Sequence, residues 1–347
     1  MQMTFRWYGR ADRIPLRHIR QIPGVEGIVS ALHDVPVGEP WTASRFDVLQ
    51  GQISNAGLRL AVVESIPVHE DIKLGKPERD RWLDAWCTSI QTVGAAGVPV
   101  VCYNFMPIFD WTRTNLAFRL PDGSTTLTFE QQALDRIDLS SGTGDLPGWA
   151  TAYDAAALAA LRAEWSLVDA EALWENLAYF LECVVPVATS AGVKLAIHPD
   201  DPPWSIFGLP RIITDAAALR RFLALVDAPA NGLTFCTGSL GSSAANDLPS
   251  MVDEFSRRGR IHFMHCRNVQ RTAAQDFREV PHPSRFGDVD MRAVLAALKR
   301  NRYEGPMRPD HGRMIWDEEG KPGYGLFDRA LGATYLQGVW EGIEATP

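Results

Sequence analysis

Val193-Lys-Leu-Ala-Ile-His-Pro-Asp-Asp201 is a short apolar stretch that ends in a burst of polar residues. Just before it, from about Asp169 to Ala191, apolar side chains recur three and four positions apart. Ala172, Leu173, Leu177, Phe180 and Leu181 fall on one face, which is the period of an amphipathic helix. Val193–Ile197 is too short for another helix and reads as a buried strand whose C-terminal end carries His198. Helix, strand and polar end together form the repeating unit of a parallel α/β fold.

The same unit recurs in both directions. Upstream, Phe5–Gly9 leads to Ile14–Ile22, Gly27–His33 ends in Asp34, and Leu58–Val63 ends in Glu64 and, further on, His69-Glu-Asp71. Val98–Tyr103 ends in Asn104 and then Phe109–Arg113. Downstream, Asn231–Phe235 ends in Cys236-Thr-Gly-Ser239, and Arg260–Met264 ends in His265-Cys-Arg-Asn268. After the turn Tyr303-Glu-Gly-Pro306 comes Met307-Arg-Pro-Asp-His-Gly-Arg313. Asp215 and Asp290 occupy helix N-cap positions. Eight such units predict a (β/α)8 TIM barrel, one domain over 1–347. A doubly wound sheet is the competitor, but no Gly-rich fingerprint follows the first strand. Gly142–Gly148 and Gly238–Ser243 lack dinucleotide-loop spacing and read as turns.

Between the fourth and fifth units the rhythm breaks over 112–165, where Ser124–Thr128 is strand-like. An insertion of that length in a compact domain predicts an arm or a lid.

The whole chain narrows the function. Its 347 residues are 46% hydrophobic and 22% charged, with a formal charge of −8. That charge disfavours a nucleic-acid partner, which calls for a basic face. An anionic small substrate remains compatible, because a few arginines can reverse the potential inside a cleft. Cys87, Cys102, Cys183, Cys236 and Cys266 are odd in number and scattered, so no disulfide framework or zinc ribbon is expected. No signal-peptide pattern and no membrane-spanning run is visible, so the expected compartment is the cytoplasm.

In such barrels the chemistry gathers where strands meet the loops that follow them. His33, Glu64, His69, Asn104, His198, Cys236, His265, Asp310 and His311 stand at such places. Taken singly, each reads equally well as a hydrogen-bonded rim residue. Jointly, His198, Cys236, His265 and Asp310 come one each from the last four strands. Two imidazoles, a thiolate and a carboxylate suit a borderline divalent ion such as manganese, iron, cobalt or zinc. His262 and His265 point to opposite faces of one strand; His265, nearer the mouth, is taken as the ligand and His262 as a buried structural histidine. Cys236 keeps two other readings, a small core residue and a nucleophile without a visible base. Lys321-Pro-Gly-Tyr324 could fold over the mouth and set a phenol beside His311, or simply pack an aromatic ring under a loop. Trp7, Trp111 and Trp204 are candidate pocket walls.

Several longer stretches resemble one family: Ala31-Leu-His-Asp-Val-Pro-Val-Gly-Glu39, Glu64-Ser-Ile-Pro-Val-His-Glu-Asp-Ile-Lys-Leu-Gly75, Tyr103-Asn-Phe-Met-Pro107, Phe109-Asp-Trp-Thr-Arg113, His198-Pro-Asp-Asp-Pro-Pro203, Arg308-Pro-Asp-His-Gly-Arg313 and Pro322-Gly-Tyr-Gly-Leu326. Over residues 4–343 the chain resembles the mannonate dehydratases of hexuronate degradation. The resemblance implies a xylose-isomerase-like barrel and a divalent metal, typically Mn2+, with Fe2+ or another cation as alternatives. It implies conversion of D-mannonate to 2-dehydro-3-deoxy-D-gluconate and supports His198, Cys236, His265 and Asp310 as ligands; a homo-oligomer is the separate expectation for its assembly. The resemblance also implies His311 and Tyr324 as the acid/base pair. Arg10, Ser205 and Asp328 depart from the family's pattern, and Arg10 bears on the rim.

The reaction needs one group to take the C2 proton and another to protonate the departing C3 hydroxyl; the sequence leaves open which of His311 and Tyr324 does which. Candidates for holding the sugar acid are Trp7, His33, His69, Asn104, Arg267, Arg308 and Arg313. Two other functions compete: a sugar isomerase or epimerase on the same barrel, and a non-catalytic sugar-acid-binding protein.

Overall fold

The computed structural model describes residues 1–141 and 154–343. Eight parallel strands close into a barrel: Gln2–Arg6, Val25–Ser30, Arg59–Glu64, Val100–Tyr103, Lys194–Ile197, Asn231–Cys236, Ile261–Cys266 and Pro306–Pro309. Closure runs through the first and eighth strands, with Gln2 opposite Pro306 and Met3 opposite Met307. All eight strand expectations hold, with displaced ends. The first strand stops at Arg6, three residues before the expected Gly9, because the amide of Tyr8 turns to the Asp12 carboxylate at 2.8 Å. Gly9 then takes a φ of 83°, open to glycine at no steric cost.

Helix starts follow the capping chemistry. Asp169, Asp215 and Asp290 each accept from the backbone N–H three residues on, as do Asp154 and Asp247. The helix Ala170–Ser190 buries Leu173, Leu177, Phe180, Leu181, Val184 and Ala188 against the barrel, while Ala172 lies half-buried at the edge of that face. Inside the barrel a small cluster of Val29, Ala61, Val62, Val100, Cys102, Ala196 and Phe263 fills the floor. The larger core lies between the strands and the surrounding helices.

The segment 112–165 contributes a hairpin, Asn115–Arg119 with Thr125–Phe129, and the helix Ala155–Trp165. The hairpin pairs with a second one after the seventh strand, Asn268–Ala273 with Asp276–Val280, in a four-stranded antiparallel sheet. Phe129 faces Phe277 in register and stacks on it at 5.7 Å, with Trp204 packed edge-on beneath. Trp165 donates to Glu70 at 2.9 Å and so ties the helix to the barrel loops. The second hairpin was not anticipated from sequence. Gly238–Ser243, expected as a turn, overlaps a buried helical turn, Thr237–Gly241, capped by the Cys236 sulfur. A side chain at Gly238 would collide with the Arg267 guanidinium, which explains the glycine. Gly142–Gly148 lies outside the described residues.

Candidate active site

The C-terminal ends of the strands meet in a cavity of about 180 Å³. Its walls include Arg6, Glu64, Asn104, His198, Arg308 and Asp310 from strand ends, with Tyr8, His33, Trp111, His311, Lys321 and Tyr324 from loops. His198 and Asp310 each stand one residue past a strand, Cys236 closes the sixth, and His265 is next to last in the seventh. Cys236 and His265 are register partners on adjacent strands, which sets their side chains at one level.

Donor atoms of His198, Cys236 and His265 lie within 4.8 Å of one another. Asp310 comes within 3.6 Å of both the Cys236 sulfur and His265 Nδ1. His198 Nδ1 donates to the Pro199 carbonyl at 2.7 Å, so the Nε2 lone pair is free to coordinate. Both ring nitrogens of the buried His265 lack a hydrogen-bond partner among the described residues. Buried polar atoms in that condition are costly unless something fills the position. The donor set, two imidazoles, a sulfur and a carboxylate, fits a borderline divalent cation.

Electrostatics favours the ligating forms of Cys236 and Asp310, whereas His198 holds a proton that an incoming cation must displace. Burial pushes the Cys236 thiol up, but the Arg267 guanidinium and the adjacent His198 and His265 imidazoles hold it well below the usual thiol range. Burial also opposes ionisation of Asp310; Arg308, His311, His265 and Arg267 prevail, and its carboxyl stays well below the ordinary value. Burial lowers His198, yet hydrogen bonding to Cys236 and the charges of Cys236, Asp310 and Asp201 raise it to about 9. On the far side of His265, Glu64 Oε2 lies 3.4 Å from Nε2. Glu64 is itself held by Arg308 at 3.0 Å and by Arg6.

Beside this cluster His311 Nε2 and the Tyr324 hydroxyl are 2.9 Å apart. Behind the imidazole, Nδ1 lies 2.8 and 3.0 Å from the two oxygens of Glu279. Glu279 is fully buried, which pushes its carboxyl up. His311, Arg267 and Arg113 outweigh burial and bring it to about 2, so it accepts only. Arg267 Nη1 donates to Glu279 at 2.7 Å and lies 3.0 Å from the same ring nitrogen; two anionic oxygens at Nδ1 against one guanidinium N–H keep the proton on Nδ1. Arg113 reaches Glu279 at 2.8 Å and Asp201 at 2.8 Å, and Arg267 reaches Asp201 at 2.7 Å. Burial of Tyr324, with Tyr8 and Asp310 nearby, raises its phenol well above the ordinary value.

The remaining expected residues separate. His33 and Asn104 line the cavity; burial, Arg6 and Lys321 lower His33 to about 3, so it stays neutral. Trp111 stands edge-on to His311 at 5.2 Å. Trp7 is a core residue and does not line the cavity, because its chain turns away at Tyr8. His69 stacks on Trp82 at 4.0 Å and lines a neighbouring cleft instead. Trp204 lies under the accessory sheet. None of the three arginines is free: Arg308 is spent on Glu64 and Asp310, and Arg267 on Asp201 and Glu279. Arg313 is drawn to the rim by Asp328 at 2.9 Å, the departure noted at that position. His262 is buried and bonded to the Leu195 carbonyl at 2.8 Å, as expected of a structural histidine. Sequence reasoning missed Glu279, Arg113 and Asp201. The available signal was a glutamate two residues from Phe277, hence on the same buried face of a strand.

The chain was compared with known proteins. The sequence profile described as D-mannonate dehydratase (UxuA) matches residues 1–347. "Mannonate dehydratase 2" of Halalkalibacterium halodurans is 51% identical over 345 residues, covering 99% of this chain and all of the relative. A mannonate dehydratase of Streptococcus agalactiae is 49% identical over 347 residues, covering 99% of each chain. The crystal structure of mannonate dehydratase from Streptococcus suis serotype 2 superposes with a TM-score of 0.91 at 49% identity, over 98% of this chain and 94% of that one. A xylose isomerase-like TIM barrel protein from Mycobacterium smegmatis shares the fold alone, with a TM-score of 0.57 at 17% identity over 95% of this chain and 88% of that one. Barrel, donor cluster and whole-length similarity agree: the chain belongs to the mannonate dehydratase family.

Proposed function

We propose that the chain dehydrates D-mannonate to 2-dehydro-3-deoxy-D-gluconate in hexuronate (glucuronate) catabolism, with His198, Cys236, His265 and Asp310 holding the family's divalent cation, manganese first among the candidates. The observation that carries this reading is the His311–Tyr324 hydrogen bond set beside the donor cluster in one small cavity. When bound, the cation supplies Lewis acidity that makes the proton next to the carboxylate easier to remove.

The two side chains divide the proton work. His311 Nδ1–H is committed to Glu279, so the Nε2 lone pair takes the C2 proton. Tyr324, held protonated, gives its phenolic proton to the C3 hydroxyl, which leaves as water. The product enol then ketonises to the 2-keto-3-deoxy acid. Imidazolium and phenolate are left 2.9 Å apart, and one proton hop between them resets the site. The substrate carboxylate also meets Lys321. Arg6 and Arg308, the cavity's other Lys/Arg cations, are paired with Glu64, whereas Lys321 has no carboxylate partner among the described residues. Its ammonium lies 4.0 Å from the Tyr8 ring centre and 5.3 Å from that of Tyr324.

The rest of the reading concerns setting. We take residues 1–347 as one domain in which 112–165 is an arm or lid, supported in its described part by the Trp165–Glu70 bond beside a cleft that shares Asn104 and Asp110 with the cavity. Exposed Trp316 and Phe327, 5.5 Å apart, and exposed Leu331 support a homo-oligomer. Among the described residues no helix is long and apolar enough to cross a membrane, and the proposed compartment is the cytoplasm.

The test is a panel of sugar acids incubated with the manganese-loaded protein. D-Mannonate is expected to yield a 2-keto-3-deoxy acid. An epimer or a ketose product, or tight binding without turnover, overturns the reading.

A further inference from the structure

The His311 imidazole can serve as a base only if its Nε2 carries the lone pair, and nothing in the imidazole itself selects that tautomer. The selection comes from outside the barrel. Glu279 lies on the strand Asp276–Val280 of the accessory sheet, two residues from Phe277, whose stacking on Phe129 fixes that face. Its carboxylate is 2% exposed and reaches His311 Nδ1 with both oxygens. We propose that Glu279 is the positioning residue of the reaction, holding the proton on His311 Nδ1 so that Nε2 faces Tyr324 and the substrate as a base. This rests on the acid/base roles argued above for His311 and Tyr324.

The surroundings sharpen the inference. Glu279 Oε1 accepts from Arg113 Nε at 3.1 Å, Arg113 Nη2 at 2.8 Å and Arg267 Nη1 at 2.7 Å. His311 Nδ1 is shared by both oxygens, 2.8 Å from Oε1 and 3.0 Å from Oε2, and Oε2 has no other partner among the described residues. In Glu279→Gln the amide oxygen must stay toward the three guanidinium donors, since an NH2 there would face donors only. The NH2 group then replaces Oε2 and points a donor at Nδ1. Nδ1 then loses one of its two acceptors and the negative charge, and its remaining oxygen is already shared with three guanidinium N–H groups, so the Nδ1–H tautomer loses its advantage, the proton shifts toward Nε2 and the base is blocked. A tautomer reversal of this kind in other enzymes costs up to about 10⁴ in kcat.

The experiment compares Glu279→Gln, Glu279→Asp, His311→Asn and Tyr324→Phe with the wild-type metal-loaded enzyme. It measures kcat, KM, bound metal, thermal midpoint and the isotope effect with mannonate deuterated at C2. Glu279→Gln is expected to lower kcat by about 10²- to 10⁴-fold, with KM within threefold (a factor of about 3 corresponds to half a power of ten). Metal content stays as in wild type, the variant stays folded at the assay temperature with a lowered midpoint, and the isotope effect on kcat rises because proton removal becomes limiting. Glu279→Asp, still acceptor-only, recovers at least part of that loss. The proposal is overturned if Glu279→Gln turns over at the wild-type rate. It is equally overturned if both Glu279 variants lose metal or unfold in step with activity, or if the isotope effect stays unchanged. If His311→Asn and Tyr324→Phe themselves stay active, the acid/base reading has failed, a result separate from the behaviour of Glu279.

Discussion

Lys321 illustrates how much a single side chain's meaning depends on its neighbours. In the sequence, the arginines beside the Asp310-His311 pair were the obvious anchors for an anion. Each of them is already neutralised by a buried or rim carboxylate, and a charge so paired has little left for a ligand. The cation without such a partner among the described residues belongs to Lys321, which the sequence marked only as the start of the loop that carries Tyr324. Replacing it, Lys321→Met, is expected to raise KM for mannonate about 10- to 100-fold, the worth of one charge-assisted hydrogen bond, with a smaller change in kcat. Inhibition by a neutral polyol such as mannitol should stay the same in both proteins. Steady-state kinetics with both compounds checks this, and equal weakening of the two would show that the lysine shapes the pocket without reading charge.

At the scale of elements, the accessory sheet joins two insertions that are 150 residues apart and delivers Arg113 and Glu279 to one buried network. Phe277 is its anchor, 1% exposed and stacked on Phe129, with the Arg113 guanidinium 4.9 Å from its ring centre. Phe277→Ala is expected to cost about 3–5 kcal/mol of stability and to lower kcat by loosening Glu279. The donor cluster on the barrel strands should keep its metal. Thermal unfolding, metal analysis and kcat on one preparation check the three parts; loss of metal would tie the sheet to the cation site as well. Both helices that the sequence marked with Asp215 and Asp290 begin where expected, because capping is a local bond between one carboxylate and one amide three residues on.

For the whole molecule, the buried carboxylates make stability depend on acid. Asp201 is drawn up by burial but held far below its ordinary value by Arg113 and Arg267. Burial also raises Glu279, yet His311, Arg267 and Arg113 bring it to about 2 against an ordinary 4.5. A carboxyl depressed in the folded state stabilises the protein above its unfolded value and loses that contribution as pH falls through the folded one. In the metal-free protein these carboxylates therefore stabilise fully above pH 4.5, and their share of the thermal midpoint is expected to be lost below it, while His33, lowered to about 3 by burial, adds to the fall from pH 6.5 downward. Glu279 alone accounts for roughly 3 kcal/mol of the change, and Glu279→Gln should flatten the fall. A midpoint insensitive to acid would contradict the buried charge network.

The sequence by itself determined the eight-fold rhythm of strand and helix, and with it the barrel. It also put His198, Cys236, His265 and Asp310 at consecutive strand ends, because strand length, helical period and the position of a strand's last residue are local properties. It did not determine the role of Glu279, which alternates onto the face of Phe277 but meets its partners only when the hairpin 115–129 and the barrel loops cover that face. Nor did it determine which arginines are spent and which cation stays free. Those outcomes depend on contacts between segments far apart in the chain, where burial turns a surface carboxylate into a fixed partner, and only the tertiary structure brings such segments together.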